Sequence, residues 1–470
     1  MTPSERLQAT YKKQYEASRK HAYPSIQERK DNLEKLAQVI DANRDRICDA
    51  IDKDFGGRSH NESTLLELVP LMGNIADAKK RLKKWSKPQR RHVGLAFKGA
   101  SNKLIPQPKG VIGVVTPWNY PLLLALGPVV SAMAAGNRCI VKQAANSQNL
   151  CRLLDEIISP VLDETVLAVI PGTSARKFSS MPWDHMVFTG SAATGKVVME
   201  AASKNLTPVT LELGGKSPTI IAPDFDIRTA AERVTFTKFL NAGQTCVAPD
   251  YLFVPEGKVE EFVKHAKDIV GSRYDSVNNN DLTAIIDEAA FNRLTATLAD
   301  AKEKGAECIN LLSGDDSNTE GQKIAPHVVV NPTDDMIIMQ DEIFGPLFPI
   351  KTYKSLDDVV EYINERERPL ALYMFSNDKK FQDKVFYSTL SGAVCINDSM
   401  FHVAQHDMPF GGVGNSGMGH YHGIEGFIEF SKLRPVFKQS TMTSKIILML
   451  APPYGPLFKN VTNLMLKLRL

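Results

Sequence analysis

The order of apolar runs after Gly110 limits the fold more than any other feature of this chain. Val111 to Val115 and Cys139 to Val141 are short and β-rich, and between them Leu122 to Ala135 reads as a helix. A strand, helix and strand in succession imply a crossover, and crossovers of this kind join parallel strands. Val187 to Thr189 repeats the pattern before Gly190, and Val209 to Leu211 opens a further unit that ends on Gly214-Gly215. Two α/β lobes meeting near residue 206 are therefore expected. Upstream, Leu33, Leu36, Ile40 and Ile47 recur at helical spacing among charged residues, so the stretch from about residue 5 to 85 reads as a polar-faced helical lead-in.

Composition narrows the class. The 470 residues are 43% apolar and 23% charged, enough for two or three domains with a sizeable core. A formal net charge of +3 is too small a bias for a dedicated nucleic-acid binder. The cysteines Cys48, Cys139, Cys151, Cys246, Cys308 and Cys395 form no Cys-x-x-Cys pair, and Met1 to Tyr23 is charged, so free thiols in a cytoplasmic protein are expected. No apolar run is long enough to span a membrane. Between Lys79 and Arg91 lie eight Lys or Arg and no acid, with Trp85 among them. That run suits phosphate or anionic lipid, or is simply a solvated helix end.

Two phosphate-loop patterns carry little. Gly412-Val413-Gly414-Asn415-Ser416-Gly417 matches the dinucleotide fingerprint, yet no strand, helix and later acid frame it. Gly215-Lys216-Ser217 resembles the end of a P-loop, but Thr210 stands where its first glycine belongs. Three other residues carry chemistry. Cys246 closes the loop Asn241-Ala242-Gly243-Gln244-Thr245-Cys246, where backbone N–H groups can approach a thiolate and lower its pKa; alone, such a cysteine also fits as a small buried hydrophobe. Glu212 sits among apolar residues and glycines, so a raised pKa would suit it to be a base, with a helix cap or an ion pair to Lys216 as the structural alternative. Asn119, in Thr116-Pro117-Trp118-Asn119-Tyr120-Pro121, is an amide donor in a turn stiffened by two prolines, fit for an oxyanion hole or for the turn alone.

Taken together, these segments resemble the aldehyde dehydrogenases, and among them the class 3 type that includes fatty- and aromatic-aldehyde enzymes. The resemblance rests on Thr116 to Pro121, Phe188-Thr189-Gly190-Ser191, Glu212 to Lys216, Gly243 to Cys246, Glu342-Ile343-Phe344-Gly345-Pro346 and Pro409 to Gly414. Class 3 character is seen in Thr207-Pro208-Val209-Thr210, Pro369 to Tyr373 and Gly417 to Gly423. The resemblance runs from about residue 5 to 440 and implies an α/β aldehyde dehydrogenase fold. Its parts would be a Rossmann-like NAD(P)-binding domain (1–89 and 110–206), an α/β catalytic domain (207–412), a β bridging arm (90–109 and 413–440) and an amphipathic tail (441–470). A homodimer through the arm is implied, with no metal and no nucleic acid.

The resemblance also implies the roles. Cys246 would attack the aldehyde carbonyl, Asn119 and the Cys246 backbone N–H would hold the oxyanion, and Glu212 would activate the water that hydrolyses the thioester to a carboxylate. Lys142, Gly190, Ser191, Gly195, Glu342, Phe344 and Trp118 would bind NAD or NADP. One departure bears on cofactor choice. The family commonly follows the lysine with proline and places glutamate three positions after it, whereas Lys142 is followed by Gln143, Ala144 and Ala145. Without that carboxylate, NAD loses a ribose acceptor and a 2′-phosphate meets no repulsion, so dual use or an NADP preference is expected. The departure also leaves room for a catalytically impaired member that serves as a binding or scaffold protein. In the tail, Leu457, Val461, Leu464, Met465 and Leu468 share a helical face with Lys459, Lys467 and Arg469 nearby, after Ile446 to Ala451. It suits peripheral attachment to an intracellular membrane, a cap on the substrate funnel, or docking on the dimer. A lipophilic aldehyde is expected.

Overall fold

A computed structural model describes residues 1–441, 448 and 450–469. Its centre is a six-stranded sheet in the order Gly417–Met418, Val209–Glu212, His185–Thr189, Val111–Val115, Arg138–Lys142, Leu167–Val169. All its pairings are parallel except that of Gly417–Met418, which runs antiparallel on the Val209–Glu212 edge. The strands Val111–Val115, Arg138–Lys142 and His185–Thr189 are buried at every position. Helices cover both faces, which is why these strands read as unbroken apolar runs rather than alternating ones. The helix Leu123–Ala135 makes the first crossover and is itself buried along nearly its whole length.

A second, seven-stranded sheet has the order Glu307–Asn310, His327–Val330, Leu347–Tyr353, Tyr251–Pro255, Pro218–Ile221, Ala371–Phe375, Ala393–Ile396. It is parallel apart from Glu307–Asn310. The lead-in is helical as expected, with Pro3–Lys20, Ile26–Asp41, Arg44–Phe55 and Val69–Trp85, and Leu33, Leu36, Ile40 and Ile47 are fully buried. Its longest helices fold against the first sheet's helical layer, and a single π-turn, Thr64–Leu68, interrupts it.

Two boundaries differ from the sequence expectation. The strand Val209–Glu212, expected to open the second lobe, lies parallel to His185–Thr189 in the first sheet, so the change of sheet falls after Glu212 rather than at 206. The arm is an antiparallel sheet of Gln89–Arg91, Ser101–Pro108 and Ser431–Lys438. Residues 413–430 do not join it: Gly417 pairs with Glu212, and the helix Gly423–Glu429 packs on Leu123–Ala135. Gly426 permits that approach, since a Cβ there would lie 3.0 Å from Ser131 Oγ.

The basic run also resolves. Trp85 is buried against Phe427 at 5.8 Å between ring centres, Lys79 pairs with Glu34, and Arg81 pairs with Asp77 and Asp407. Two of its eight basic residues, Lys79 and Arg81, are thus paired with acids. In the tail, Pro456–Leu468 is a helix whose Leu457, Leu464 and Leu468 are exposed. Of the preceding apolar stretch, Ile446, Ile447 and Met449 lie outside the described residues. No helix among the described residues is long and apolar enough to cross a membrane.

Candidate active site

The carboxyl ends of parallel strands are where open α/β sheets place their sites, and the sequence candidates gather there. The turn bearing Trp118 and Asn119 follows Val111–Val115, Lys142 ends its strand, Gly190 and Ser191 follow His185–Thr189, and Glu212 ends Val209–Glu212. The loop of Cys246 comes from the second sheet's side, after the helix Ile227–Phe239.

That loop is held in an unusual shape. Asn241 and Ala242 have φ of 53° and 51°, followed by Gly243 at 74°. Two non-glycine residues in the left-handed region cost about 1–3 kcal/mol each and persist only where the surroundings fix them. Gly243 is required twice over, because a Cβ would also lie 2.3 Å from the Gly345 carbonyl oxygen. The Asn119 side-chain amide donates to the Gln244 carbonyl at 3.1 Å. An amide NH2 carries two donors, so this bond fixes the rotamer and leaves one N–H for a ligand. Tyr120 and Thr245 hydroxyls meet at 2.6 Å and tie the same turn to the same loop.

Glu212 is buried to 2% exposure, and neither carboxylate oxygen has a hydrogen-bond partner among the described residues. Burial, and next the charge of Glu429, hold its pKa well above the usual carboxylate range. It does not pair with Lys216, which donates instead to Asp250 at 2.5 Å and to the carbonyls of Ile338 and Asp341, each at 2.8 Å. The Cys246 thiol is pushed up to about 12 by burial, then by the charges of Glu342 and Glu212. Here the structure corrects the expectation of a lowered thiol pKa: the backbone N–H groups of Cys246 and Val247 do favour the thiolate, but burial beside two carboxylates outweighs them.

Glu342 is half-buried, its Oε1 enclosed and without a partner among the described residues, and desolvation followed by Asp250 raises it to about 8. A Cβ on Gly214 would lie 2.1 Å from Glu342 Oε2, so glycine there makes room for the carboxylate. Phe344 adopts φ of 47° and packs edge-on to Trp118 at 5.4 Å. Ser191 caps the helix Ala192–Ser203 through Thr194 N, and Gly195 lets that helix sit on Leu213. Gly190 leaves space filled by the Phe188 ring. Lys142 is buried, which lowers its pKa, and has no ion-pair partner among the described residues. An anion-ready helix N-terminus, an unpaired lysine and a buried carboxylate oxygen awaiting a donor are what a dinucleotide's phosphates and ribose hydroxyls require. The residues present fit that group. The Gly412–Gly417 pattern does not contribute: it forms a 3₁₀ turn, Gly414–Ser416, leading into the edge strand. No cluster of three metal-ligating side chains occurs among the described residues.

Several residues were not singled out from sequence. Tyr421 is buried with an unpartnered hydroxyl and feels the charges of Glu212 and Cys246. Arg58, Glu62 and Glu67 of the lead-in are buried and reach both the Asn119 turn and the Cys246 loop. Glu67 carries the same signature that marked Glu212, an acid inside an apolar run, Leu65-Leu66-Glu67-Leu68-Val69.

Cys246, the unpartnered carboxylate of Glu212 and the groups suited to a dinucleotide are thus gathered by the carboxyl ends of the strands. The sequence pattern of the aldehyde dehydrogenase family matches residues 2–436, and the chain belongs to that family. A probable coniferyl aldehyde dehydrogenase of Pseudomonas aeruginosa is 46% identical over 98% of this chain and 96% of its own length. Human aldehyde dehydrogenase family 3 member B1 is 37% identical over 90% of each chain. Among solved structures, the substrate-bound state of Staphylococcus aureus AldH superposes with a TM-score of 0.90 at 33% identity, covering 98% of this chain and 99% of that one. A Mycobacterium tuberculosis aldehyde dehydrogenase complexed with NAD+ gives 0.79 at 27% identity, covering 89% and 86%. The protein is thus an aldehyde dehydrogenase similar to the class 3 type.

Proposed function

We propose that this enzyme oxidises a lipophilic aldehyde, aromatic or long-chain, to its carboxylic acid through a thioester on Cys246, using NAD or NADP. The observation that carries the reading is Glu212: a carboxylate at 2% exposure whose two oxygens have no partner among the described residues, coupled in charge to the Cys246 thiol. A structural acid buried this deeply would have partners; an unpartnered one is poised to take a proton.

The Cys246 thiol gives its proton to Glu212, which passes it on to water, and the sulfur adds to the aldehyde carbon. As the carbonyl oxygen becomes negative, the free N–H of Asn119 and the Cys246 backbone N–H donate to it, each contributing about 3 kcal/mol to the lowered barrier. A nicotinamide cofactor, when bound, would supply the acceptor for the hydride on that carbon. Glu342 would accept hydrogen bonds from its ribose hydroxyls, Phe344 and Trp118 would pack beside the ring, and Ser191 and the helix behind it would hold the pyrophosphate. Glu212 then takes a proton from water, the hydroxide attacks the thioester carbon, and the carboxylate leaves the regenerated thiol. Because its pKa lies high, the base gains strength as pH rises.

A lipophilic substrate is supported by the apolar surroundings of the thiol, since Cys246 and Trp118 pack against the core cluster that contains Tyr373, Met400, Phe410 and Tyr421. The most identical of the relatives described above is named for an aromatic aldehyde. Ala145 and the unpaired Lys142 support use of NADP alongside NAD. The homodimer is supported by the arm, where Leu95, Phe97, Val436 and Phe437 are exposed; light scattering of the purified protein tests it. The exposed leucines of the tail helix, with Lys467 and Arg469 at its end, support contact with an anionic membrane surface. Cosedimentation with anionic liposomes, lost on deleting residues 446–470, is the expected result.

The central test is NAD(P)H formation with coniferyl aldehyde and with a long-chain aldehyde, each with both cofactors, in wild type and Cys246→Ala. Reduction that disappears in the variant is expected; reduction that survives it would overturn the reading.

A further inference from the structure

The lead-in helices touch the chemistry. Arg58, whose side chain is fully buried, donates through one guanidinium nitrogen to Glu67 Oε1 at 2.8 Å and to the Asn119 carbonyl at 3.2 Å. Its guanidinium lies 5.2 Å from the centre of the Tyr120 ring, next along the turn. Glu67 sits in the π-turn Thr64–Leu68, and its other oxygen accepts the backbone N–H of Leu122 at 2.7 Å and of Leu123 at 3.1 Å. It thereby caps the helix that leaves the Asn119 turn. π-turns of this kind recur at functional sites because they re-aim one side chain of a helix.

Glu62, five residues before Glu67, lies 3.9 Å through Oε2 from the Nε of the same Arg58 and reaches the Cys246 loop. Its Oε1 accepts the backbone N–H of Asn241 at 2.6 Å, and its Oε2 accepts the Thr283 hydroxyl. Asn241 is the first of the three left-handed residues that lead to Cys246, and its own side chain donates to the Asn119 and Gln244 carbonyls, both at 3.1 Å. Arg58, Glu62 and Glu67 are thus bonded to both halves of the site: to the turn that carries the side-chain donor and to the loop that carries the backbone donor. These contacts span more than fifty residues in sequence at the least and 179 for Glu62 to Asn241.

We propose that Glu62, braced by Thr283 and working with the Arg58–Glu67 pair, is a positioning residue that sets the Asn119 amide and the Cys246 backbone N–H at the separation an oxyanion needs. The proposal rests on the roles given above to Asn119 and Cys246. A geometric clamp has a signature that general support of the fold lacks. Alkylation of the Cys246 thiol builds no oxyanion, and the groups assigned above to the cofactor do not include Asn241, whereas formation of the tetrahedral adduct needs both donors in place.

The test uses the full-length enzyme with Glu62→Ala, Glu62→Asp and Glu62→Gln. Three readouts apply: single-turnover NAD(P)H formation, binding of NAD(P)H by fluorescence, and the rate of iodoacetamide alkylation of Cys246. Glu62→Ala and Glu62→Asp, which lose or withdraw the acceptor for the Asn241 N–H, are expected to slow NAD(P)H formation at least about tenfold. Alkylation and cofactor binding should stay within about twofold of wild type. Glu62→Gln keeps an oxygen for Asn241 and is expected to recover most of the rate. Equal loss of all three readouts in Glu62→Asp would make the residue a prop of the fold and overturn the proposal, as would NAD(P)H formation at the wild-type rate in that variant. If Glu62→Ala does not fold, Glu62→Asp against Glu62→Gln decides. Failure of the underlying reading shows separately, as NAD(P)H formation that persists in Cys246→Ala.

Discussion

Two buried carboxylates, Glu67 and Glu212, are in nearly opposite states. Glu67, at 0% exposure, binds Arg58 with one oxygen and two backbone N–H groups with the other. Glu212, at 2%, has no partner for either oxygen among the described residues. Burial raises the pKa of both, but for Glu67 the Arg58 cation and two backbone donors work against the shift, whereas the next influence on Glu212 is a second negative charge, Glu429. The first arrangement spends its acceptor capacity on holding backbone in place. The second keeps that capacity for something that arrives, and the cost of leaving it empty has to be carried by the rest of the fold.

The sharpest way to break this comparison is to make the same change at both sites. Glu212→Gln should lower steady turnover by about 10²–10⁴-fold, the range for loss of a general base. Its thermal midpoint should hold or rise, because an unpartnered ionisable group has been neutralised. Glu67→Gln should do the reverse in emphasis. It leaves Arg58 only the longer contact of its Nε with Glu62 Oε2, at 3.9 Å, and can place an NH2 against the Leu122 and Leu123 donors, so a loss of about 3–5 kcal/mol in denaturant unfolding is expected. Equal destabilisation by the two variants would erase the distinction.

Buried imidazoles extend the contrast to pH. Burial lowers His185 to about 3 and both His402 and His422 to about 4, from an ordinary 6.5. The unfolded chain therefore binds protons on these residues in a range where the folded chain does not. Stability is intact above about 6.5 and falls as pH drops toward 4, and a thermal midpoint series across that window should show it. A midpoint flat across the window would mean the three rings are not neutral in the fold. The smallest effect sharpens the Glu212 side. Glu429→Gln removes the negative charge that adds to burial, so the acid limb of the kcat profile should move to lower pH, by about one unit or less. A limb that does not move would detach Glu429 from the base.

What the sequence made legible follows from distance along the chain. Cys246, Glu212 and Asn119 stand in short motifs whose shape is local: a turn between prolines, a strand running into paired glycines, a bend through three left-handed residues. The alternation of strands and helices after Gly110 is local too, and the parallel sheets follow from it. Sheet membership is not. Val209–Glu212 looks like the opening of a new unit because a strand's neighbours are chosen by tertiary packing, and only its pairing with His185–Thr189 shows where it belongs. The stretch after Gly412 reads as one arm segment, yet it supplies an edge strand and a packed helix before the arm strand Ser431–Lys438 begins. Arg58, Glu62 and Glu67 read as the polar face of a helix. Their partners lie far along the chain, and no local pattern tells a solvated charge from one that folds inward. Even so, Glu67 in its apolar run shows the signature that drew attention to Glu212. The thiol pKa is likewise not legible in the loop alone, since Glu342 and Glu212 reach Cys246 from other segments.

The most direct test of the contrast is a rapid-mixing experiment on Glu212→Gln with saturating coniferyl aldehyde and cofactor, read by NAD(P)H fluorescence and intact-protein mass spectrometry. If Glu212 serves the hydrolytic step and Cys246 carries the acyl group, NAD(P)H should rise rapidly to about one equivalent and stall, with the acyl mass on the peptide containing Cys246. Absence of a burst in protein that still binds cofactor, or an acyl mass on any other residue, would contradict the assignment.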